Sequence, residues 1–210
     1  MHFDDHFVRG ALCDVEIVGV LPADVSFSVD TRVMCPGDIF VALTGARVDG
    51  HEFIEQALAK GAAGLMIAAC KKEVVERLLA LQDKKPALIV VPDTLEALIR
   101  LAQVWRVQFD IPVIGITGSV GKTTTKQMLA QMLELNGNRC LVTQGNQNTK
   151  IGIALNILRM REYHQMAIFE VGINKRGEMA QLAALLRPTT GIITVIGHSH
   201  MEGLGSLAEI

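Results

Sequence analysis

The segment best suited to chemistry is VIGITGSVGKTTTKQML, at residues 113–129. An apolar run breaks into glycines and is followed by Lys122, three threonines and a run with helical spacing. The full phosphate-loop pattern, G-x-x-x-x-G-K-S/T, would need a glycine where Ile116 stands, so the match is to the shorter form at residues 118–123. Backbone N–H groups freed by the two glycines can bind phosphate oxygens, as can the amino end of the following helix. The pattern predicts nucleotide binding; the alternative is a glycine-rich turn that binds nothing.

The predicted phosphate-binding residues are Gly118, Ser119, Val120, Gly121, Lys122, Thr123 and Thr124. Lys122 can reach the β- and γ-phosphates, and the Thr123 hydroxyl can ligate Mg²⁺. Further ligands should stand at the ends of neighbouring strands. Glu170 ends the apolar run MAIFE, where a carboxylate is costly unless it is paired or metal-bound. His198 and His200 follow another apolar run, but Mg²⁺ prefers oxygen, so chemistry alone favours solvated loop histidines.

Residues 109–210 alternate regularly between strand and helix patterns. We predict strands at 112–117, 139–143, 166–171 and 191–196, and helices at 122–135, 151–160 and 177–186. Apolar strands alternating with helices indicate a parallel sheet covered on both faces. Such sheets bind ligands at the carboxyl ends of their strands, where the phosphate loop and Glu170 lie.

Residues 1–108 read as a separate small α/β domain, with the boundary near residue 109. Short alternating segments and turns lead to a helix that includes EFIEQALAK, a strand GLMIA, a helix at 71–82 and a strand ALIVV. Asp93 resembles the start of a capping box for the next helix. That helix is predicted to direct Leu95, Leu98, Ile99 and Ala102 inward and to end on a packed Trp105.

Composition narrows the class of protein. The chain has 210 residues, is 50% hydrophobic and carries a formal net charge of −2, so an extended basic surface for nucleic acid is not expected. Its start lacks a secretory signal, and its longest apolar stretch is too short to span a membrane. Four cysteines without paired spacing favour reduced, buried thiols in a cytoplasmic protein.

The motifs together resemble those of the Mur ligase family, the ATP-dependent amide-bond-forming enzymes of peptidoglycan synthesis. Four stretches match family patterns in order: TGSVGKTT at 117–124, GNQNTKIG at 145–152, FEVGINKRGEM at 169–179 and TVIGHSHMEGLGS at 194–206. The amino-terminal stretch from Ser28 to Phe53 is similar to the family's UDP-sugar-binding domain. The resemblance implies an α/β fold, with this small domain preceding part of a parallel-sheet, phosphate-loop central domain.

The resemblance also implies roles for single residues. Lys122, Glu170 and His200 would be catalytic, with Thr123, Glu170 and His200 at Mg²⁺; His198 matches no family ligand. The implied substrate-binding residues are Ser28, Asp30, Thr31, Arg32, Thr44, Gly45, Asp49 and His51 around the UDP-sugar, and Asn146 and Asn148 beside the substrate and phosphates. A purely structural turn at Asp49-Gly50 remains an alternative for the loop that contains it.

Within the family, the motifs are most similar to those of the ligase that joins D-Ala-D-Ala to UDP-MurNAc-tripeptide. A substrate carboxylate would attack ATP to form an acyl phosphate, which the incoming amine then captures. We expect a monomer with no nucleic-acid partner. Family members continue well beyond residue 210, so we expect this chain to be a fragment that turns over nothing by itself.

Three alternatives stay open at this point. The chain could belong to a ligase of the same family that adds the third amino acid, or could be a non-catalytic nucleotide- or UDP-sugar-binding module. An unrelated phosphate-loop motor or switch is a third, but it leaves the first domain unexplained. The sequence departs from the family pattern at Thr149, Lys150, Ala154 and Val195, which could alter substrate contacts without removing the phosphate chemistry.

Overall fold

The computed structural model describes residues 3–22, 25–82, 85–145 and 147–197. Its contacts divide the chain into two compact units, Met1–Leu101 and Ala102–Ile210. The division falls within a helix, Thr94–Arg106, while the boundary predicted near residue 109 lies just after that helix.

The elements alternate along the chain as follows. The helices are α1 (Asp5–Ala11), α2 (Ile54–Ala59), α3 (Lys72–Ala80), α4 (Thr94–Arg106), α5 (Lys122–Leu135), α6 (Lys150–Leu158) and α7 (Glu178–Leu186). The strands are β1 (Glu16–Val18), β2 (Phe27–Ser28), β3 (Ile39–Val41), β4 (Gly64–Ala68), β5 (Ala87–Val91), β6 (Val113–Thr117), β7 (Cys140–Val142), β8 (Met166–Glu170) and β9 (Thr190–Ile193). Short 3₁₀ turns, Gly50–Phe53 and Ala69–Lys71, precede α2 and α3.

The first unit contains a five-stranded sheet in the order β1-β5-β4-β3-β2. Strands β2 to β5 pair in parallel, and β1 is antiparallel to β5. β4 and β5 are buried along their whole lengths, as expected for apolar strands covered on both faces. Their apolar side chains pack with those of β3, α2 and α3. The buried cluster comprises Met34, Phe40, Ala42, Ile54, Ala57, Leu65, Ile67, Val75, Leu79, Leu88 and Val90.

The second unit contains a parallel sheet in the order β7-β8-β6-β9. Each of these strands and the helices between them lies where the alternating pattern predicted it, to within a few residues. Ile116 of β6 and Ile168 of β8 pack against Ala130 of α5, so α5 covers one face. The opposite face of β6 carries Gly115, which approaches Leu186 at the end of α7.

The structure confirms part of the prediction for α4. The Asp93 carboxylate accepts a hydrogen bond from the Glu96 N–H at 2.9 Å, and Leu98 and Ala102 are buried. Trp105 is 1% exposed and donates its indole N–H to the Met160 carbonyl. The prediction was wrong for Leu95, which is 40% exposed. The buried face instead runs from Thr94 through Ala97, Leu98, Leu101, Ala102 and Trp105.

The composition led to expectations about the cysteines and about membrane spans. Cys13, Cys35 and Cys70 are free but exposed, and Cys140 is half-buried, so the expectation of buried thiols was wrong. Scattered cysteines in this fold stand at turns and element ends rather than in the core. Among the described residues, none of the helices has the length and apolarity that crossing a membrane requires.

Candidate functional site

The predicted phosphate loop joins the end of β6 to the start of α5. Gly118 and Gly121 have φ values of 130° and 90°, a region that side chains disfavour. Gly121 precedes α5 without a side-chain cap, and the first N–H groups of a helix have no intrahelical partner. The loop therefore directs backbone donors and the positive end of α5 at one place, as phosphate binding requires.

Lys122 begins α5 and folds back over the loop. Its ammonium group donates to the Gly118 carbonyl at 2.6 Å and lies 3.5 Å from the Ser119 carbonyl. These carbonyls hold the cation beside the uncapped helix end. A phosphate group bound there would be within reach of the same ammonium.

The segment after β9 fixes the loop from the other side. The Ser119 N–H donates to the Val195 carbonyl at 2.7 Å, and the Ser119 hydroxyl exchanges hydrogen bonds with Gly197. The Thr194 hydroxyl donates to the Val120 carbonyl at 2.6 Å, and a side chain at Gly118 would overlap that hydroxyl. Val195 makes this contact through its backbone carbonyl. The support of the loop therefore does not depend on the side chain at this position, where the sequence departs from the family pattern.

Glu170 ends β8 next to the phosphate loop and is 2% exposed. One carboxylate oxygen accepts from the Thr123 hydroxyl at 2.9 Å and lies 3.2 Å from the Lys126 ammonium. The other oxygen accepts from the Asn148 amide at 3.1 Å. The structure thus brings together three predicted residues, Thr123, Asn148 and Glu170.

Two opposing effects act on the pKa of Glu170. Burial raises it, because a charged carboxylate is costly away from water. Hydrogen bonds from Thr123, Asn148 and Lys126, with the charge of Lys126, outweigh burial and lower the pKa below its ordinary value. Glu170 is therefore ionised at neutral pH.

The oxygen atoms of Thr123 and Glu170 suit Mg²⁺. Mg²⁺ is usually held by one or two protein oxygens, phosphate oxygens and water. A hydroxyl and an ionised carboxylate 2.9 Å apart beside a phosphate loop fit that description. The described residues contain no cluster of three or more His, Cys, Asp or Glu side chains that could hold a metal by themselves. His200, predicted as another ligand, lies outside the described residues, as do His198 and Asn146.

A cavity of about 510 Å³ opens beside the loop. Gly118, Ser119 and Lys122 of the loop line the cavity together with apolar residues that include Met179, Leu186 and Ile193. A mostly apolar wall with a few polar groups is a feature of small-molecule sites.

Lys126, which is 3% exposed, was not predicted as a site residue. Its position supplied a signal: Lys126, Ala130 and Leu133 are spaced as one stripe of α5, and a lysine on a buried stripe needs a charged or polar partner. Thr143 was also missed. Its hydroxyl accepts from the Glu170 N–H at 3.1 Å and so fixes the end of β8.

In the first unit, the predicted residues after β2 form a local network. Ser28 and Thr31 are buried, and the Ser28 hydroxyl donates to the Asp30 carbonyl at 3.1 Å. Arg32 binds the Asp30 carboxylate through two guanidinium nitrogens and thereby lowers the pKa of Asp30. The Arg32 side chain itself is 86% exposed, so it can also meet a ligand.

The loop after β3 is closed by its own contacts. Thr44 bridges to Asp49, and the Asp49 carboxylate contacts the His51 Nδ1 at 2.6 Å and the Lys71 ammonium at 2.9 Å. These two contacts hold the pKa of Asp49 well below its ordinary value. The His51 Nε2 accepts from the Ala68 N–H at 3.0 Å.

Both imidazole nitrogens of His51 are thus occupied, and the side chain anchors the loop to β4. Gly45, at the loop's turn, donates its N–H to the Val48 carbonyl at 2.9 Å. Because β2 and β3 are adjacent parallel strands, the segments 28–32 and 44–51 lie at the same carboxyl edge of the sheet. That edge is the usual ligand-binding edge of such sheets.

The two units and the loop define a two-part α/β protein whose second part has the architecture of a phosphate-loop nucleotide-binding domain. Two family models match it in order. The model described as "Mur ligase family, catalytic domain" matches residues 26–106, and "Mur ligase middle domain" matches residues 116–210. The chain belongs to the Mur ligase family.

Two relatives from different bacteria carry the same name. The UDP-N-acetylmuramoyl-tripeptide--D-alanyl-D-alanine ligase of Synechocystis is 44% identical over 177 residues, which are 84% of this chain and 37% of that protein. The protein of the same name from Escherichia coli is 39% identical over 183 residues, which are 87% of this chain and 38% of that protein. The chain spans less than half the length of these relatives.

Solved structures confirm the predicted fold class. A crystal structure of MurF from Acinetobacter baumannii matches with a TM-score of 0.78 at 29% identity, covering 100% of this chain and 44% of that one. The crystal structure of MurF ligase from Thermotoga maritima in complex with ADP matches with a TM-score of 0.67 at 31% identity, covering 89% of this chain and 41% of that one.

Proposed function

We propose that this chain forms the UDP-sugar-binding and ATP-binding parts of a cytoplasmic, monomeric ligase that joins D-Ala-D-Ala to UDP-MurNAc-tripeptide. The observation that carries the proposal is the contact between Thr123, at the end of the phosphate loop, and Glu170, in a chain of this family. The names of the relatives from Synechocystis and Escherichia coli support the choice of substrates.

The proposed reaction starts with attack of the tripeptide's terminal carboxylate on the γ-phosphorus of ATP. The attack forms an oxygen–phosphorus bond and releases ADP, leaving an acyl phosphate. The amine of D-Ala-D-Ala then attacks the acyl carbon, loses a proton and displaces inorganic phosphate. The net products are an amide, ADP and phosphate.

Two anions must approach each other in the first step, so the chain's main task is to offset negative charge. Lys122 exchanges its Gly118 carbonyl for the β- and γ-phosphates, and the N–H groups at the amino end of α5 bind the same oxygens. The support from Ser119 and Thr194 keeps these donors in place before the nucleotide arrives, which reduces the cost of ordering them.

Thr123 and Glu170 would hold Mg²⁺ together with phosphate oxygens. When bound, Mg²⁺ offsets charge on the transferring phosphoryl group. Glu170 must be ionised for this task, and its lowered pKa provides that state at neutral pH. Asn148 holds the other carboxylate oxygen, which orients the group.

The first unit would bind the UDP-sugar at the carboxyl edge of its sheet. Arg32 offers an exposed guanidinium to the diphosphate, while Asp30 fixes the orientation of that guanidinium. Asp49 and His51 act on the shape of the loop rather than directly on the ligand, because their polar atoms are already paired.

Calorimetric titration with UDP-MurNAc-tripeptide tests the proposal. We expect saturable binding to the chain, lost when the UDP-free tripeptide is used and weakened by Arg32→Ala. A second titration with Mg·ADP should give binding that Thr123→Val weakens. Failure of both ligands at millimolar concentration would contradict the proposed function.

The same calorimetric titration tests the alternative substrate within the family. UDP-MurNAc-dipeptide is the acceptor in the reaction that adds the third amino acid. Binding of UDP-MurNAc-dipeptide in clear preference to UDP-MurNAc-tripeptide would replace the proposed substrate while keeping the ligase class.

A further inference from the structure

Lys126 is a buried cation whose ammonium makes two described contacts. It lies 3.2 Å from a carboxylate oxygen of Glu170 and donates to the Gly145 carbonyl at 3.1 Å. The side chain is 4% exposed, and that of Glu170 is 3% exposed. The proposed function assigns a role to Lys122 and none to Lys126.

The position of Lys126 would favour an apolar side chain if packing alone mattered. It shares a stripe of α5 with Ala130, which packs on the sheet. Burying an ion pair costs desolvation that its attraction often fails to repay, so an apolar pair of similar volume is commonly as stable. The contribution of Lys126 must therefore be sought in what its ammonium orients.

That ammonium joins three parts of the site. Glu170 ends β8, Gly145 belongs to the segment before α6, and Lys126 lies one helical turn after the phosphate loop. Asn148 joins the same segment to the other Glu170 oxygen and accepts the Gly172 N–H through its backbone carbonyl. Gly145, Asn148 and the Glu170 carboxylate are thus held as one group, with Lys126 as its positively charged member.

The Thr123 hydroxyl has a single proton, which it donates to the Glu170 oxygen that Lys126 also contacts. If the Thr123 hydroxyl turned away to ligate a metal, the Lys126 ammonium would still contact that carboxylate oxygen and hold its orientation.

We propose that Lys126 is a positioning residue, which aims Glu170 at the metal side of the bound nucleotide and ties Gly145 and Asn148 to that orientation. This inference rests on the proposed function, because it assumes that the phosphate loop binds a metal–nucleotide complex. Lys126 acts through Glu170 and does not touch the phosphates.

The test compares nucleotide affinity with and without metal for the full chain. ADP is titrated by calorimetry, in MgCl₂ or in EDTA, into the wild type, Lys126→Met and the control Lys85→Met. Lys85 is exposed in the first unit, before β5. We expect Lys126→Met to weaken Mg·ADP binding about tenfold or more, as loss of a group supporting a metal ligand does, and to change metal-free binding less than about twofold. Lys85→Met should change neither.

A double-mutant cycle separates positioning from a general loss of structure. Glu170→Gln removes the charge on which Lys126 acts, so Lys126→Met should add nothing further to the Mg·ADP loss in that background. The pair Lys126→Met/Glu170→Gln buries no unpaired charge and serves if the single variant fails to fold. Equal weakening with and without Mg²⁺, or a further loss in the Glu170→Gln background, would overturn the proposal.

Amide hydrogen exchange without nucleotide gives an independent readout. Lys126→Met should speed exchange at Gly145 and at residues 147–152 about tenfold, and Lys85→Met should not. If Lys126→Met exchanged faster while the wild-type chain bound no ADP, the proposed nucleotide binding would be wrong, whereas the link between Lys126 and these residues would stand. Unchanged exchange would contradict the positioning role of Lys126.

Discussion

Lys122 is the residue on which phosphate binding should depend most. In this structure its ammonium is bound by the carbonyls of the loop that it follows, within reach of the uncapped end of α5. We expect Lys122→Met to weaken ADP and ATP binding by about 10–100-fold, since a hydrogen bond to a charged group is worth roughly 1.5–3 kcal/mol. Calorimetric titration measures this, and thermal unfolding serves as its control. A stability loss of the same size as the binding loss would assign Lys122 a structural role instead.

Asp49 should make the stability of the first unit depend on pH in the acid range. His51 and Lys71 hold the pKa of Asp49 below its ordinary value of 3.8, so the folded state binds a proton less readily than the unfolded state. The stabilisation is therefore fully present above that ordinary value and is lost as the pH falls from there toward the lowered pKa. We expect Asp49→Asn to destabilise the unit by roughly 1 kcal/mol at neutral pH, and this loss to shrink as the pH falls below about 3.8 toward the lowered pKa.

Urea unfolding across this pH range tests the Asp49 prediction. The matched control is Asp14→Asn, at an exposed aspartate of the same unit. The Asp14 variant should follow the wild type at every pH. If the difference between Asp49→Asn and the wild type persisted undiminished in acid, the contacts with His51 and Lys71 would not be its source.

The phosphate loop is supported by residues that are distant from it in sequence. Thr194 follows β9, yet its hydroxyl donates to the Val120 carbonyl at 2.6 Å and lies 3.2 Å from the Thr117 carbonyl. Thr194→Val keeps the shape and removes the donor. We expect it to weaken ADP binding about 3–10-fold and to lower stability by about 1 kcal/mol. Thr190→Val, at an exposed residue of β9, is the matched control and should leave ADP affinity unchanged.

Strong periodicity made most elements predictable. The apolar runs of β4, β5 and β8 and the amphipathic helices α3 and α5 could each be identified from the sequence alone. α1 and β1 were not predicted. β1 has three residues and exists through its antiparallel pairing with β5. Pairing between distant segments leaves little trace in local sequence.

The candidate site was predictable in part for a similar reason. The loop glycines, Lys122 and Thr123 follow one another in sequence, and Glu170 is conspicuous at the end of an apolar strand. The partner of Lys126 and the role of Thr194 could not be predicted, because they depend on the strand order β8-β6-β9, which brings Glu170 and residues 194–197 to either side of the loop.

For the molecule as a whole, each unit presents its candidate ligand-binding residues at the carboxyl edge of its own parallel strands. The UDP-sugar residues follow β2 and β3, and the phosphate loop and Glu170 follow β6 and β8. Each ligand should then stabilise the unit that binds it, by an amount set by its concentration relative to its dissociation constant.

We therefore expect calorimetric unfolding of the whole chain to respond separately to the two ligands. Mg·ADP should raise the unfolding temperature of the second unit, and UDP-MurNAc-tripeptide that of the first, each by a few degrees at about 100 times its dissociation constant. Hydrogen exchange identifies the unit that each ligand protects. Lys122→Met should abolish the Mg·ADP shift and keep the UDP-ligand shift, whereas Arg32→Ala should do the reverse. A single transition that both ligands raise equally, and that either variant abolishes for both, would mean that the two sites do not act independently.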